Sequence, residues 1–418
     1  MTIESAFYRN IQPRGGDMPF SFVYGGVSST ELLKTWTRAV ETKEEGQRVA
    51  HTVHWLDPKT ALRVTATVTA FKRYAAVEWL LHFENTGTQD TPILENVQAI
   101  DAEVRTGFVR KPVVLHQLAG DVCGERSFLP LDSTVEPGQP VALAPVGGRP
   151  SNGAFPFFNL QYGNEGLITA VGWSGQWAAR LERSATGPTR LQAGMEQTHT
   201  KLLPGEGIRS PRIVVLPWQG DRLAAHNRFR RLLLFEYAPK IEGRPLRLPV
   251  ASQCFDRYSW NRPEWSTEAG QIRAVQATHD LGCDTHWFDA AWFEGGFPDG
   301  VGNWFCKPKS FPNGLKPVSD ECHRLGLKFL LWFEPERVAA GTQIARDHPE
   351  FVLGGTNGGL FKLDDPAARR WLTDLLSTRI TEFGLDVYRN DFNLDPLDYW
   401  RRNDTPDLKG SVLKGSVL

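Results

Sequence analysis

From Val64 to Ala70 every second residue is apolar, with Val64, Ala66, Val68 and Ala70 parted by Thr65, Thr67 and Thr69. Val77, Trp79, Leu81 and Phe83 carry the same period onward. Period two marks a strand with one face buried. Such runs, separated by Gly, Pro and Asn clusters, extend from about residue 20 to 217 and predict an antiparallel β-sandwich of many strands. A short helical connector is expected near 221–235, where Arg-rich and Leu-rich positions recur at helical spacing, and 239–249 reads as a boundary.

Beyond residue 250 the pattern changes to short apolar runs alternating with helical ones. Strands are predicted at 250–255, 285–289, 327–333 and 386–391, and helices near 267–280 and 318–325. A third helix follows Asp365-Pro366, an N-cap and a first-turn proline, with Trp371, Leu372, Leu375, Leu376, Ile380 and Phe383 along one apolar face. Repeated β-α units predict a parallel sheet. The chain is thus expected to be multidomain. Residues 1–245 form the N-terminal β-sandwich with its connector, 246–407 a β/α catalytic domain, and 408–418 a tail without assigned function, since Lys409-Gly410-Ser411-Val412-Leu413 is repeated at once as Lys414-Gly415-Ser416-Val417-Leu418.

Two of the predicted strands end abruptly in charge, as Leu331-Trp332-Phe333-Glu334-Pro335-Glu336 and Asp386-Val387-Tyr388-Arg389-Asn390-Asp391-Phe392-Asn393. Parallel strands bury both faces, so charge at their C-terminal ends marks a candidate catalytic rim. Asp391 ends an apolar strand beside Arg389, whose charge would favour the anion, and the pair fits a nucleophile; the bland alternative is a helix cap. Arg389, two positions earlier, points to the same side, with a plain ion pair as its alternative. Asp289, ending the second strand, suits two hydrogen bonds from adjacent hydroxyls or a loop-capping role. Trp332 and Trp292 are candidates for stacking on an apolar ligand face, Trp292 the weaker because core packing competes. Asn393 is a further candidate contact, and Glu334 and Glu336 are expected to support the charged groups from behind.

These motifs resemble the catalytic domain of glycoside hydrolase family 36, the α-galactosidase (melibiase) family. Phe333-Glu334-Pro335-Glu336, then Tyr388-Arg389-Asn390-Asp391-Phe392-Asn393, stand in family order after Thr285-His286-Trp287-Phe288-Asp289-Ala290-Ala291-Trp292-Phe293. Upstream, Ser151-Asn152-Gly153 with Phe155–Asn159 and Ala170–Trp177 resemble the β-domain preceding that barrel. The resemblance implies the first half of a (β/α)8 TIM barrel, terminal α-D-galactosides and α-galactoside oligosaccharides as substrates, a retaining double displacement with Asp391 as nucleophile, no cofactor and no metal. Arg389 stands where many members have Lys, and Asp289-Ala290 where members commonly have two Asp. The family's acid/base Asp lies on a later strand. Residues 250–418 fall about 80 short of a barrel's ~250, so the chain is expected to be truncated after the fourth strand, with its proton donor beyond Leu418 and little activity alone. An α-N-acetylgalactosaminidase, a raffinose-type transglycosylase or a noncatalytic carbohydrate-binding fragment are the alternatives, and a homo-oligomer is expected by analogy.

Composition narrows the classes further. With 47 basic and 48 acidic residues well mixed, the chain has no field for nucleic acid. No run suits a membrane span and the first residues lack a signal-peptide pattern, so a cytoplasmic location is expected. The five cysteines lack C-x-x-C spacing and are expected to be buried free thiols. Gly354–Gly359 lacks the G-x-G-x-x-G fingerprint after a strand, which disfavours a dinucleotide site.

Overall fold

In the computed structural model the alternating run forms the strand Leu62–Phe71, paired antiparallel with Ala76–Asn85 in full register from Leu62↔Asn85 to Phe71↔Ala76. The structure describes residues 11–13, 18–104, 112–185, 187–253 and 264–409. The chain divides into two units, residues 1–245 with 395–418, and residues 246–394.

The first unit holds two antiparallel sheets of nine and ten described strands. Val64, Ala66, Trp79, Leu81 and Phe83 from one sheet meet Phe22, Ala99, Ala102, Leu181 and Leu191 from the other in a shared core, which is the β-sandwich predicted. The strand Arg212–Gln219 is buried on both faces. Ile213 and Val215 face that core, while Val214, Leu216 and Trp218 are covered by Ala225, Phe229 and Leu232 of the connector helix Arg222–Leu232, capped by Asp221. The outermost strand Thr37–Glu45 is exposed throughout, and Arg38, Glu41, Lys43, Glu44 and Glu45 guard its free edge.

In the second unit the strands Ala251–Gln253, Thr285–Phe288, Lys328–Phe333 and Val387–Asn390 lie parallel in that order, as in the first half of a (β/α)8 barrel. Helices Glu268–Asp280, Lys316–Arg324 and Pro366–Phe383 fall in the connections, the last capped by Asp365 and closed by Gly384 in the left-handed region. Among the described residues no helix is long and apolar enough to cross a membrane.

Two expectations need correction. The β/α domain, expected to reach residue 407, ends at Leu394, and the chain beyond joins the sandwich unit. There Leu397 N–H donates to Gly147 O at 3.1 Å, Arg149 pairs with Asp395 at 2.9 Å, Trp400 packs on the core and Leu408 pairs with Thr200. The four described cysteines are free but not uniformly buried: Cys322 is buried, Cys283 and Cys306 are partly covered, and Cys123 is exposed in a loop. Cys254 and residues 410–418 of the tail lie outside the described residues.

His286 in the second strand has no solvent exposure, and burial lowers its pKa to about 4. Its Nε2 lies 3.0 Å from Gln271 Oε1, which is fixed as an acceptor because Gln271 Nε2 donates to Trp265 O, so the neutral ring carries its proton on Nε2. Nδ1 lies 3.0 Å from Thr278 Oγ1, whose hydroxyl donates to Ala274 O at 2.9 Å. The unfolded chain binds this proton at higher pH than the fold, so stability falls as pH drops from the ordinary histidine range to about 4. The full loss expected is about 3 kcal/mol. In urea unfolding between pH 7 and 4, His286→Gln should lack this contribution and lose less stability on acidification than the wild type; equal slopes would exclude His286 as a cause.

Candidate active site

The parallel register sets the rim. Trp287 is level with Leu330, and Leu330 with Val387; two positions further on, Trp332 is level with Arg389. Asp391, the first residue past the fourth strand, anchors its backbone N–H on Phe333 O at 2.8 Å. Its Oδ2 accepts from Trp332 Nε1 at 2.8 Å and Asn393 Nδ2 at 2.9 Å, and among the described residues Oδ1 accepts only from the Phe392 N–H at 3.0 Å. Arg389 Nη1 stands 3.3 Å from Oδ2, an ion pair that lacks the alignment of a hydrogen bond. Partial burial pushes the Asp391 carboxyl up, but the Trp332 and Asn393 donors, the Arg389 charge and the Phe392 N–H outweigh it and hold the pKa below the usual carboxylate range.

Asp289 is buried just past the second strand. Its Oδ1 accepts from the Ala290 N–H and its Oδ2 from Gln253 Nε2, both at 2.7 Å. Burial raises its pKa, against the pull of the Ala290 N–H and Arg389, and the Asp391 charge adds to the rise. Glu334 has no exposure; its Oε1 accepts from the Asn393 backbone N–H, and Arg337 Nη1 lies 3.6 Å from Oε2. Burial raises its pKa too, opposed by Asn393 and Arg337. Asn393 therefore joins Glu334 to Asp391, with its backbone on one and its side chain on the other.

The structure thus brings Asp391, Arg389, Trp332, Asn393 and Glu334 together, with Asp289 within electrostatic reach. Glu336 reaches that cluster only through charge. Burial raises its pKa and the Glu334 charge adds to the rise, while its own charge bears on Tyr388, whose hydroxyl donates to Asn390. The stacking roles expected of the two tryptophans do not fit. Trp292 has no exposure, packs among Phe293, Trp304, Phe333 and Phe383, and donates from Nε1 to Trp332 O at 3.0 Å. Trp332 is 2 % exposed, stacks on Phe293 and offers the site its N–H instead of its face.

Three residues at the rim were not anticipated. Gln253 ends the first strand and holds Asp289; Arg337 pairs with Glu334; Trp287 lies under the Arg389 guanidinium, 4.8 Å from its ring centroid. The signal for Trp287 was in the sequence, because it precedes Asp289 by two residues as Arg389 precedes Asp391.

Family models match two stretches, the glycosyl hydrolase family 36 N-terminal domain over residues 11–203 and melibiase over residues 258–362. Alpha-galactosidase 2 of Pediococcus pentosaceus is 26% identical over 189 residues, 44% of this chain and 25% of its own length. Alpha-galactosidase C of Emericella nidulans is 26% identical over 338 residues, 74% of this chain and 42% of its own. The structure of the family 36 α-galactosidase AgaA from Geobacillus stearothermophilus shares the fold at a TM-score of 0.73 and 18% identity, covering 91% of this chain and 56% of that one. The chain belongs to glycoside hydrolase family 36. It matches between a quarter and about two fifths of the length of these curated relatives.

Proposed function

We propose that this rim serves an α-galactosidase-type retaining glycosidase, with Asp391 attacking the anomeric carbon of a terminal α-D-galactoside. The observation that carries the reading is the asymmetry of the Asp391 carboxylate. Oδ2 is held by Trp332, Asn393 and Arg389, while Oδ1 has, among the described residues, a single backbone donor and keeps a lone pair for attack. The first displacement forms the bond from Oδ1 to C1 as the glycosidic C1–O bond breaks and the aglycone leaves with the electron pair. Water then attacks C1 from the opposite side and gives up one proton to the same carboxyl group that assists the leaving group, the C1–Oδ1 bond breaks to release the Asp391 carboxylate, and the α configuration is restored.

Arg389 and Asp289 are proposed to bind glycon hydroxyls, Asp289 through lone pairs not taken by Gln253 and the Ala290 N–H. General-acid assistance to the leaving group is proposed to come from a carboxyl group outside these four strands. Such assistance contributes about 10²–10⁴-fold. Structures of AgaA in complex with stachyose and with raffinose support α-galactoside oligosaccharides as the substrate class, and a cytoplasmic location and homo-oligomerisation belong to the same proposal.

The test uses 5-fluoro-α-D-galactosyl fluoride, whose fluoride departs without a strong proton donor. A covalent glycosyl adduct on the peptide containing Asp391, seen by mass spectrometry, is the expected result. An adduct on another carboxylate, or none at millimolar reagent, would overturn the reading.

A further inference from the structure

Resting on that reading of Asp391 and Arg389, we infer that Trp287 is a positioning residue, whose indole face holds the Arg389 guanidinium against the nucleophile. The guanidinium carbon is 4.8 Å from the Trp287 ring centroid while Nη1 is 3.3 Å from Asp391 Oδ2, so one planar cation is fixed from two sides. The register explains the reach: Trp287 is two positions below Arg389 and two strands away, level with Leu330 and Val387, and the arginine side chain leans back across the third strand to meet it. Arginine needs such a support. Its ion pair with Asp391 lacks hydrogen-bond alignment, so the carboxylate alone does not fix the plane of the fork. A flat aromatic face does, and leaves the remaining N–H groups at the edge of the plane free for glycon hydroxyls.

The consequence reaches the nucleophile. Among the described residues, the charged groups that bear on Asp391 are Arg389 on its own strand, Asp289 after the second strand and Glu334 after the third, itself paired with Arg337. Arg389 is the cation that opposes the two carboxylates. A guanidinium free to swing away leaves Asp391 facing Asp289 and Glu334, and its proton affinity rises.

The experiment compares Trp287→Met, which fills volume without a π face, with Trp287→Phe, which keeps a smaller one. Trp287→Met should slow adduct formation from 5-fluoro-α-D-galactosyl fluoride by roughly 3- to 30-fold and move its acid limb up by roughly 1 pH unit. Trp287→Phe should recover most of both. In an Arg389→Ala background Trp287→Met should add nothing. If Trp287→Met does not fold, as judged by circular dichroism, Trp287→Leu takes its place. An unmoved acid limb in the folded variant, or an undiminished effect without Arg389, would show that Trp287 only fills space and would overturn the proposal. Carboxyl ¹³C titration of Asp391 separates this proposal from the functional reading. If the wild-type chain forms no adduct, that reading fails, yet a raised Asp391 pKa in Trp287→Met still supports the positioning role and an unchanged one refutes it.

Discussion

Replacing Asp391 by Asn is expected to reduce adduct formation on the order of 10⁴-fold or more, the scale of loss when a nucleophile acting within a concerted site is deleted. Asn is nearly isosteric, and as a cap it is as good as Asp. Were Asp391 only tying down the turn through its Oδ1 bond to the Phe392 N–H, the variant would keep that bond and the function with it. The chemistry does not survive the change. An amide oxygen is a poor nucleophile, and Arg389 loses the anion it pairs with. Asp391→Gly supplies the complementary result. With α-galactosyl fluoride and azide, the vacated side of the sugar is open to the external anion, which forms C–N as C–F breaks and yields β-galactosyl azide. Wild-type rates in Asp391→Asn, or no azide product from a folded Asp391→Gly chain, would remove Asp391 from the role proposed for it.

Much of both units was legible because the signals are local. Period-two alternation located the sandwich strands, and Asp365-Pro366 with the apolar stripe from Trp371 to Phe383 located the helix Pro366–Phe383. Arg389 and Asp391, two apart at a strand end, share a side as that spacing requires. What was not legible depends on contacts distant in sequence. Asp395, Leu397 and Trp400 look like an ordinary polar helix start; only the loop around Gly147 to Arg149, some 250 residues earlier, decides that this segment docks on the sandwich. The tryptophans failed for a related reason. A strand-end Trp faces either a cleft or a core, and for Trp292 the decision lies with Trp304 and Phe383, which no spacing rule connects to it. Glu334 and Glu336 are separated by one residue and looked equivalent, yet only Glu334 reaches Asn393.

Glu334→Ala is expected to destabilise the second unit by about 3–5 kcal/mol, the range for removing one partner of a buried ion pair. Glu334 has no exposed surface, and its loss leaves the Asn393 N–H without its acceptor and removes the carboxylate beside Arg337, whose guanidinium also lies 5.1 Å from the Phe297 ring centroid. Glu334→Gln keeps an acceptor for Asn393 and removes a costly buried charge, so it should lose far less. The pH dependence tells the carboxylate from its shape. Burial holds the folded pKa of Glu334 above its unfolded value, so the fold binds the proton more tightly and stability falls as pH rises from the unfolded pKa through the folded one. This slope opposes that of His286, whose folded pKa is lowered, and the two partly cancel in the wild type over the acid range. Glu334→Gln removes the compensating term and should expose the full acid sensitivity of His286, with a steeper loss of stability on acidification than the wild type shows. Urea midpoints for Glu334→Gln, His286→Gln and the double variant between pH 4 and 7 check this. A Glu334→Gln slope no steeper than the wild type would mean that the buried carboxyl does not take up its proton early, and that Arg337 neutralises it in the fold.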